Sequence, residues 1–140
     1  MPTRPSIGPV IETSIFVDDT EKSARFYERV LGLRVMSVSE RLASLDVAGK
    51  SVFLIFKKGG STQPTIFEGG TIPPNDASGS IHFALSISQA DFQDWVDWLG
   101  ECSVEIESIV NWERGGRSIY FRDLDGHNVE LATPGIWEIY

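Results

Sequence analysis

The chain has 140 residues, 41% hydrophobic and 11% aromatic, which suits one compact domain or two very small ones and is enough for an ordinary core. Its formal net charge of −8 repels phosphate backbones, so no nucleic-acid partner is expected. No stretch reaches the ~20 apolar residues of a membrane span, and the opening MPTRPSIGPVIE lacks a signal peptide's apolar region of ~7–15 residues, so the expectation is a cytoplasmic protein without a membrane partner.

Residues 10–17 read as a strand, and Asp18, Asp19 and Thr20 then offer N-cap side chains. A helix is expected over residues 21–31, where Ala24, Tyr27 and Leu31 recur at helical spacing and Phe26 and Val30 widen the stripe. Gly32 ends it, as a residue tolerant of positive φ does. Strands follow at 33–39, 42–47 and 51–57, with Ala48-Gly49-Lys50 as the turn between the last two. Residues 59–80 change character: GGSTQPTIFEGGTIPPNDASGS has no sustained period and reads as a linker or flap.

The order then repeats. Residues 81–87 read as a strand, and Ser88 with Asp91 forms a capping-box pattern. Phe92, Trp95, Val96 and Leu99 mark one face of a second helix, and strands are expected at 104–110, 117–122 and 128–133. Each half is thus strand-helix-strand-strand-strand, the first spanning 10–58 and the second 81–135, with NWERGG at 111–116 as an insertion in the second. Laying Gly49 on Gly126 sets Phe53 on Glu130, and laying the first strands together sets Glu12 on His82.

Alternation along a strand sends neighbouring side chains to opposite faces. Ile15 and Val17 are expected to meet the first helix, and Phe83 and Leu85 the second. Glu12, His82 and Glu130 then all lie on the face away from the helices. If each sheet curls around that face, the three share one concavity. Carboxylates brought together away from water need neutralising. Two carboxylates and a neutral imidazole balance one divalent cation, with Zn, Mn, Ni, Co or Fe suited to such donors. Three protein ligands leave positions open for water or substrate.

His127 is expected as a solvent-facing turn residue, with Asp123 and Asp125 beside it, because the spacing lacks the further oxygen ligands of a calcium loop. The lone Cys102 can form neither an internal disulfide nor a zinc cysteine pair, and is expected to pack as a small apolar group.

The stretches IETSIFVDDTEKSARFYERVLGL, GSIHFALSI and GGRSIYFRDLDGHNVELATPG together resemble the vicinal oxygen chelate superfamily, the glyoxalase, bleomycin-resistance and extradiol-dioxygenase group. The resemblance spans about residues 10–135. It implies an α+β fold of two βαβββ modules, 10–58 and 81–135, forming an open eight-stranded barrel-like cup with helices outside. It implies metal ligands at Glu12, where many members carry histidine, and at His82 and Glu130. Phe53 stands where some members supply a fourth ligand, Glu12 breaks a two-histidine-one-carboxylate triad, and Leu124 replaces the usual turn proline.

The function implied is a metal-dependent enzyme, a lyase, isomerase or dioxygenase, that chelates a small substrate through two vicinal oxygens. Glu130 is the candidate to move a proton and Tyr120 to supply a phenol. Arg122 would bind an anionic group, and Phe16, Phe53 and Trp112 would form apolar walls. Trp137 would close the mouth or contact another subunit. Two other expectations stand beside this one: a drug- or metabolite-sequestering protein without catalysis, and an Fe(II) extradiol-type dioxygenase. A homodimer is expected from the resemblance alone.

Overall fold

The computed structural model describes residues 3–140. Strand β1 (Glu12–Val17) leads through Asp18 and Asp19 into helix α1 (Thr20–Leu31). Asp19 caps the helix by accepting the Lys22 N–H at 3.0 Å, which satisfies one of the orphan donors of its first turn. Gly32 closes the helix with φ 69°, as its sequence position predicts. Strands β2 (Arg34–Val38), β3 (Leu42–Val47) and β4 (Ser51–Lys57) complete the first module.

The segment expected as a linker or flap carries structure. It holds a small hairpin, β5 (Thr65–Phe67) and β6 (Gly70–Ile72), whose base is tied down where the Arg41 guanidinium donates to the Gly60 carbonyl at 2.8 Å. Three-residue strands are too short to give a readable alternation. The second module runs β7 (His82–Ser86), α2 (Phe92–Glu101), β8 (Ile106–Asn111), β9 (Arg117–Arg122) and β10 (Asn128–Ala132). Ser88 Oγ accepts the Asp91 N–H at 3.1 Å, half of the expected box, and α2 starts at the next residue.

The architecture is mixed α+β. Its strands form sheets of order β1-β4-β3-β2 and β7-β10-β9-β8, beside the β5-β6 hairpin. The first strand of each module pairs in parallel with its last, β1 with β4 and β7 with β10. The two large sheets are not hydrogen-bonded to each other among the described residues, so they do not close into a barrel. The pairing also corrects the register between the halves. Glu12 sits beside Val52, and His82 beside Asn128. Leu54, not Phe53, therefore corresponds to Glu130, and Phe53 corresponds to Val129. The turns differ by one residue, and a one-residue slip moves a side chain to the opposite face.

The halves share one core. Tyr27 meets Phe53 at 4.7 Å between ring centroids, and Phe53 meets Phe83 of the second module at 5.0 Å. The Trp98 indole N–H donates to the Val30 carbonyl at 2.8 Å, joining the helices.

A second set of contacts is polar. The turn between β9 and β10 docks on the first module. Asp123 Oδ1 accepts the N–H groups of Asp125 and His127, at 3.0 and 2.8 Å, while Oδ2 accepts the Tyr27 hydroxyl at 2.6 Å. Asp125 accepts the Asp18 N–H at 3.0 Å. Gly126 takes φ 81° to make this turn, and Leu124 in the usual proline position is exposed.

His127 is buried at 1% exposure, contrary to the solvent-facing role expected for it. Its Nδ1 accepts the Ile81 N–H at 3.1 Å, so Nε2 carries the proton and donates to the Phe16 carbonyl at 2.7 Å. One neutral imidazole thus links β1 to the start of β7. Nothing in the local spacing announces this, because both partners are backbone atoms distant in sequence.

His127→Ala strands a buried N–H and a buried carbonyl, so it should cost about 2–5 kcal/mol in urea unfolding. Tyr27 supplies a pH test. Burial, and then the charge of Asp123, push its phenol well above the ordinary tyrosine value of 10. A raised folded-state value stabilises fully below that pH and is lost as pH rises, because only the unfolded chain releases the proton. Stability should fall above pH 10 by up to about 1.4 kcal/mol per pH unit from this one group, and Tyr27→Phe should remove that share of the slope.

Candidate functional site

The face of the second sheet away from the helix carries the site. In β10, Val129 and Leu131 are buried in the core, and Glu130 points the other way. Across the antiparallel pair Glu130 lies opposite Tyr120, and across the parallel pair opposite Ala84. His82 lies one pleat along, beside Asn128. Alternation therefore gathers His82, Ala84, Tyr120 and Glu130 on one surface, as the sequence implies.

The Glu130 carboxylate is 7% exposed and held at both oxygens. Its Oε2 accepts from the Ser118 hydroxyl, and Ser118 in turn accepts the Trp112 indole N–H at 2.8 Å. Its Oε1 lies 3.1 Å from His82 Nε2. The other imidazole nitrogen, Nδ1, is 3.0 Å from the Asn128 carbonyl. A carbonyl only accepts, so Nδ1 carries a hydrogen. In the neutral ring Nε2 then presents a lone pair to a carboxylate oxygen. Two acceptors at that separation repel unless a cation, a proton or a metal ion, serves both. A histidine whose far nitrogen donates to a backbone carbonyl is also the usual form of a metal-ligating imidazole. Asn128 adds a buried Oδ1 without a hydrogen-bond partner on the neighbouring residue pair. This donor set fits a divalent cation bound by His82 and Glu130.

Of the three expected ligands the structure brings two together. Glu12 is exposed at the head of β1. No three His, Cys, Asp or Glu side chains among the described residues converge as a metal-holding group.

The cavity in front of His82 and Glu130 has a volume of about 870 Å³. Trp112 and Tyr120 line it as expected, and so do residues 136–140. Burial, and then the Glu130 charge, raise the Tyr120 phenol above its ordinary value, so it stays a donor at neutral pH.

Three expected lining residues lie elsewhere. Phe53, 1% exposed, packs on α1 because of the register described above. Phe16 faces away from α1 but stacks on Phe56, centroids 5.2 Å apart, outside this cavity. Arg122 shares the face of Tyr120, but its guanidinium is paired with Glu107 at 3.0 Å and also donates to Ser80 and the Gly126 carbonyl. Ser118 was not singled out from the sequence, although it stands two residues before Tyr120 and so shares its face.

The sequence profile of the Glyoxalase/Bleomycin resistance protein/Dioxygenase superfamily matches residues 9–131, and the chain belongs to that superfamily. Among characterised relatives, a metallothiol transferase FosB of Staphylococcus haemolyticus is 36% identical over 122 residues, which cover 86% of this chain and 79% of that protein. Another, from Lysinibacillus sphaericus, is 35% identical over 84% of this chain and 76% of its own length. Among solved structures, a lactoylglutathione lyase from Agrobacterium tumefaciens superposes with a TM-score of 0.86 at 24% identity, covering 96% of this chain and 99% of that one, a likeness of fold.

If Glu130 holds a cation, Ser118→Ala should weaken Mn²⁺ binding about 10- to 100-fold by calorimetry, because it frees the Glu130 carboxylate to rotate. Trp112→Phe, which removes only the donor behind Ser118, should weaken it less.

Proposed function

We propose that this protein is a metal-dependent enzyme of the vicinal oxygen chelate type, acting on a small molecule. The observation that carries this reading is the approach of His82 Nε2 to Glu130 Oε1 at 3.1 Å, with Nδ1 and Oε2 tied to other groups. A bound divalent cation would supply Lewis acidity towards two neighbouring substrate oxygens. The protein's own groups do the rest. Tyr120, a phenol protonated at neutral pH and raised further by burial and then by the Glu130 charge, can donate a hydrogen bond towards an oxygen that gains charge. Glu130 is placed to accept or return a proton at Oε1, the oxygen it would also offer to a bound cation. Ser118 and Trp112 fix the rotamer from which it does so. The likeness to metallothiol transferases favours transfer of a thiol group over ring cleavage.

Glu12 completes the ligand set from a second copy in this reading. It is exposed on β1, an edge strand, and β7, which carries His82, is the edge of the other sheet. An open edge invites pairing, and a homodimer joined there would bring Glu12 of one chain towards His82 and Glu130 of another. The same reading places the protein in the cytoplasm. The sequestering alternative keeps one observation in its favour, the apolar rim of Trp112, Trp137 and Ile139.

Elemental analysis and a thermal-shift screen with Mn²⁺, Ni²⁺, Zn²⁺ and Fe²⁺ test the metal. Wild type should bind about one ion per chain by the stoichiometry of one site, and Glu130→Ala should bind none. Glu12→Ala should also bind none, whereas an equilibrated mixture of Glu12→Ala and Glu130→Ala chains should recover about a quarter of the sites, because half the dimers then contain one intact set. Metal binding by Glu12→Ala at wild-type affinity overturns the shared site. No metal uptake by wild type overturns the enzyme reading in favour of sequestration.

A further inference from the structure

Trp112 serves the site twice, as a wall of the cavity and as the donor behind Ser118. It stands in the turn that joins β8 to β9. An indole carried on a turn keeps a 2.8 Å hydrogen bond only if the turn itself is held. Two devices outside the cavity hold it.

The first is a crossing of two glycines. The turn closes on itself where the Trp112 N–H donates to the Gly116 carbonyl at 2.8 Å and the Gly115 N–H to the Trp112 carbonyl at 3.0 Å. The Gly116 N–H then donates to the Gly135 carbonyl at 3.0 Å, joining the turn to the segment after β10. A Cβ on Gly116 would lie 2.6 Å from the Gly135 carbonyl carbon, so a side chain there forces the two backbones apart. The segment beyond is anchored in turn, because the Gly135 N–H donates to the Tyr140 carbonyl at 3.0 Å and the Tyr140 hydroxyl to the Ala132 carbonyl at 2.8 Å.

The second device is Gln89, in the connection between β7 and α2. Its amide nitrogen donates to the Gly115 carbonyl at 2.8 Å and reaches the Pro134 carbonyl at 3.5 Å, one contact on each side of the crossing. Its amide oxygen accepts from Arg117 Nε at 3.1 Å. That guanidinium lies over the Phe92 ring, 3.8 Å from its centroid, which fixes it on the first residue of α2. Only one orientation of the amide serves all three partners. None of Gln89, Gly116 and Arg117 lines the cavity.

We propose that Gln89 and the Gly116–Gly135 crossing are positioning elements of the site: touching neither the cavity nor a cation, they hold Trp112 where its indole reaches Ser118, and through Ser118 they set the grip of Glu130 on a cation. The effect on the cation rests on the metal-centre reading above; the effect on Trp112 does not.

The test reads both ends of this route. The four tryptophans give four indole N–H signals in ¹⁵N-labelled, metal-free protein. Gln89 is exposed, so Gln89→Leu should leave the fold and its thermal midpoint nearly unchanged. In that variant the Trp112 indole N–H should exchange with water about fivefold faster or more, while the Trp98 indole N–H, bonded to the Val30 carbonyl, keeps its rate. Gly116→Ala should show the same pattern more strongly. By calorimetry Gln89→Leu should weaken Mn²⁺ binding about three- to tenfold, the size of one neutral hydrogen bond. It should weaken it no further in a Trp112→Phe background, where the donor is already gone. Unchanged Trp112 exchange in Gln89→Leu overturns the proposal. So does an equal rise at Trp98, which reports general loosening, and so does a full additional loss of Mn²⁺ affinity in the Trp112→Phe background. Failure of the metal-centre reading looks different: wild type then takes up no Mn²⁺, the consequence for the cation falls, and the indole exchange still decides whether Gln89 places Trp112.

Discussion

The neutral imidazole of His127 holds the two halves of this molecule in one relation. It accepts a hydrogen bond from the Ile81 N–H and donates one to the Phe16 carbonyl. Asp123, on the same turn, is saturated by two backbone donors and the Tyr27 hydroxyl. Aromatic contact through Tyr27, Phe53 and Phe83 supplies attraction between the modules, but attraction of this kind is not directional. The hydrogen bonds of the turn are directional, and each buried partner is costly to leave unpaired. They fix which face of the second sheet remains open once the core has formed.

The open face carries the candidate site. Its organising element is a chain of donors, Trp112 to Ser118 to Oε2 of Glu130, whose other oxygen, Oε1, lies 3.1 Å from His82 Nε2. Each link leaves the next group one remaining option. The indole can only donate, so the serine hydroxyl is free to donate onward, and the carboxylate keeps one oxygen for a cation. Preorganisation of this sort lets a binding site discriminate without moving.

Much of this was legible in the sequence, for definable reasons. Helix α1 announced itself through Asp19, its apolar stripe and Gly32. Alternation in β10 put Glu130 opposite the core, and the repeated order of elements exposed the two modules. The parts that were not legible depend on distances the chain does not encode locally. Aligning Gly49 with Gly126 was off by one residue, which sent Phe53 to the wrong face. His127 looked like a surface turn residue because both of its partners are backbone atoms far away in sequence. Glu12 matched His82 by position in the repeat, yet position does not say whether two edges meet within one chain.

The turn that locks the modules runs without a break into β10. Between His127 and Glu130 there are only two residues. The peptide that fastens one half of the protein to the other is thus the same peptide that aims its best-held carboxylate. Any change that loosens the fastening is therefore passed along the strand to the carboxylate, so the cohesion of the two halves and the aim of Glu130 share one length of backbone.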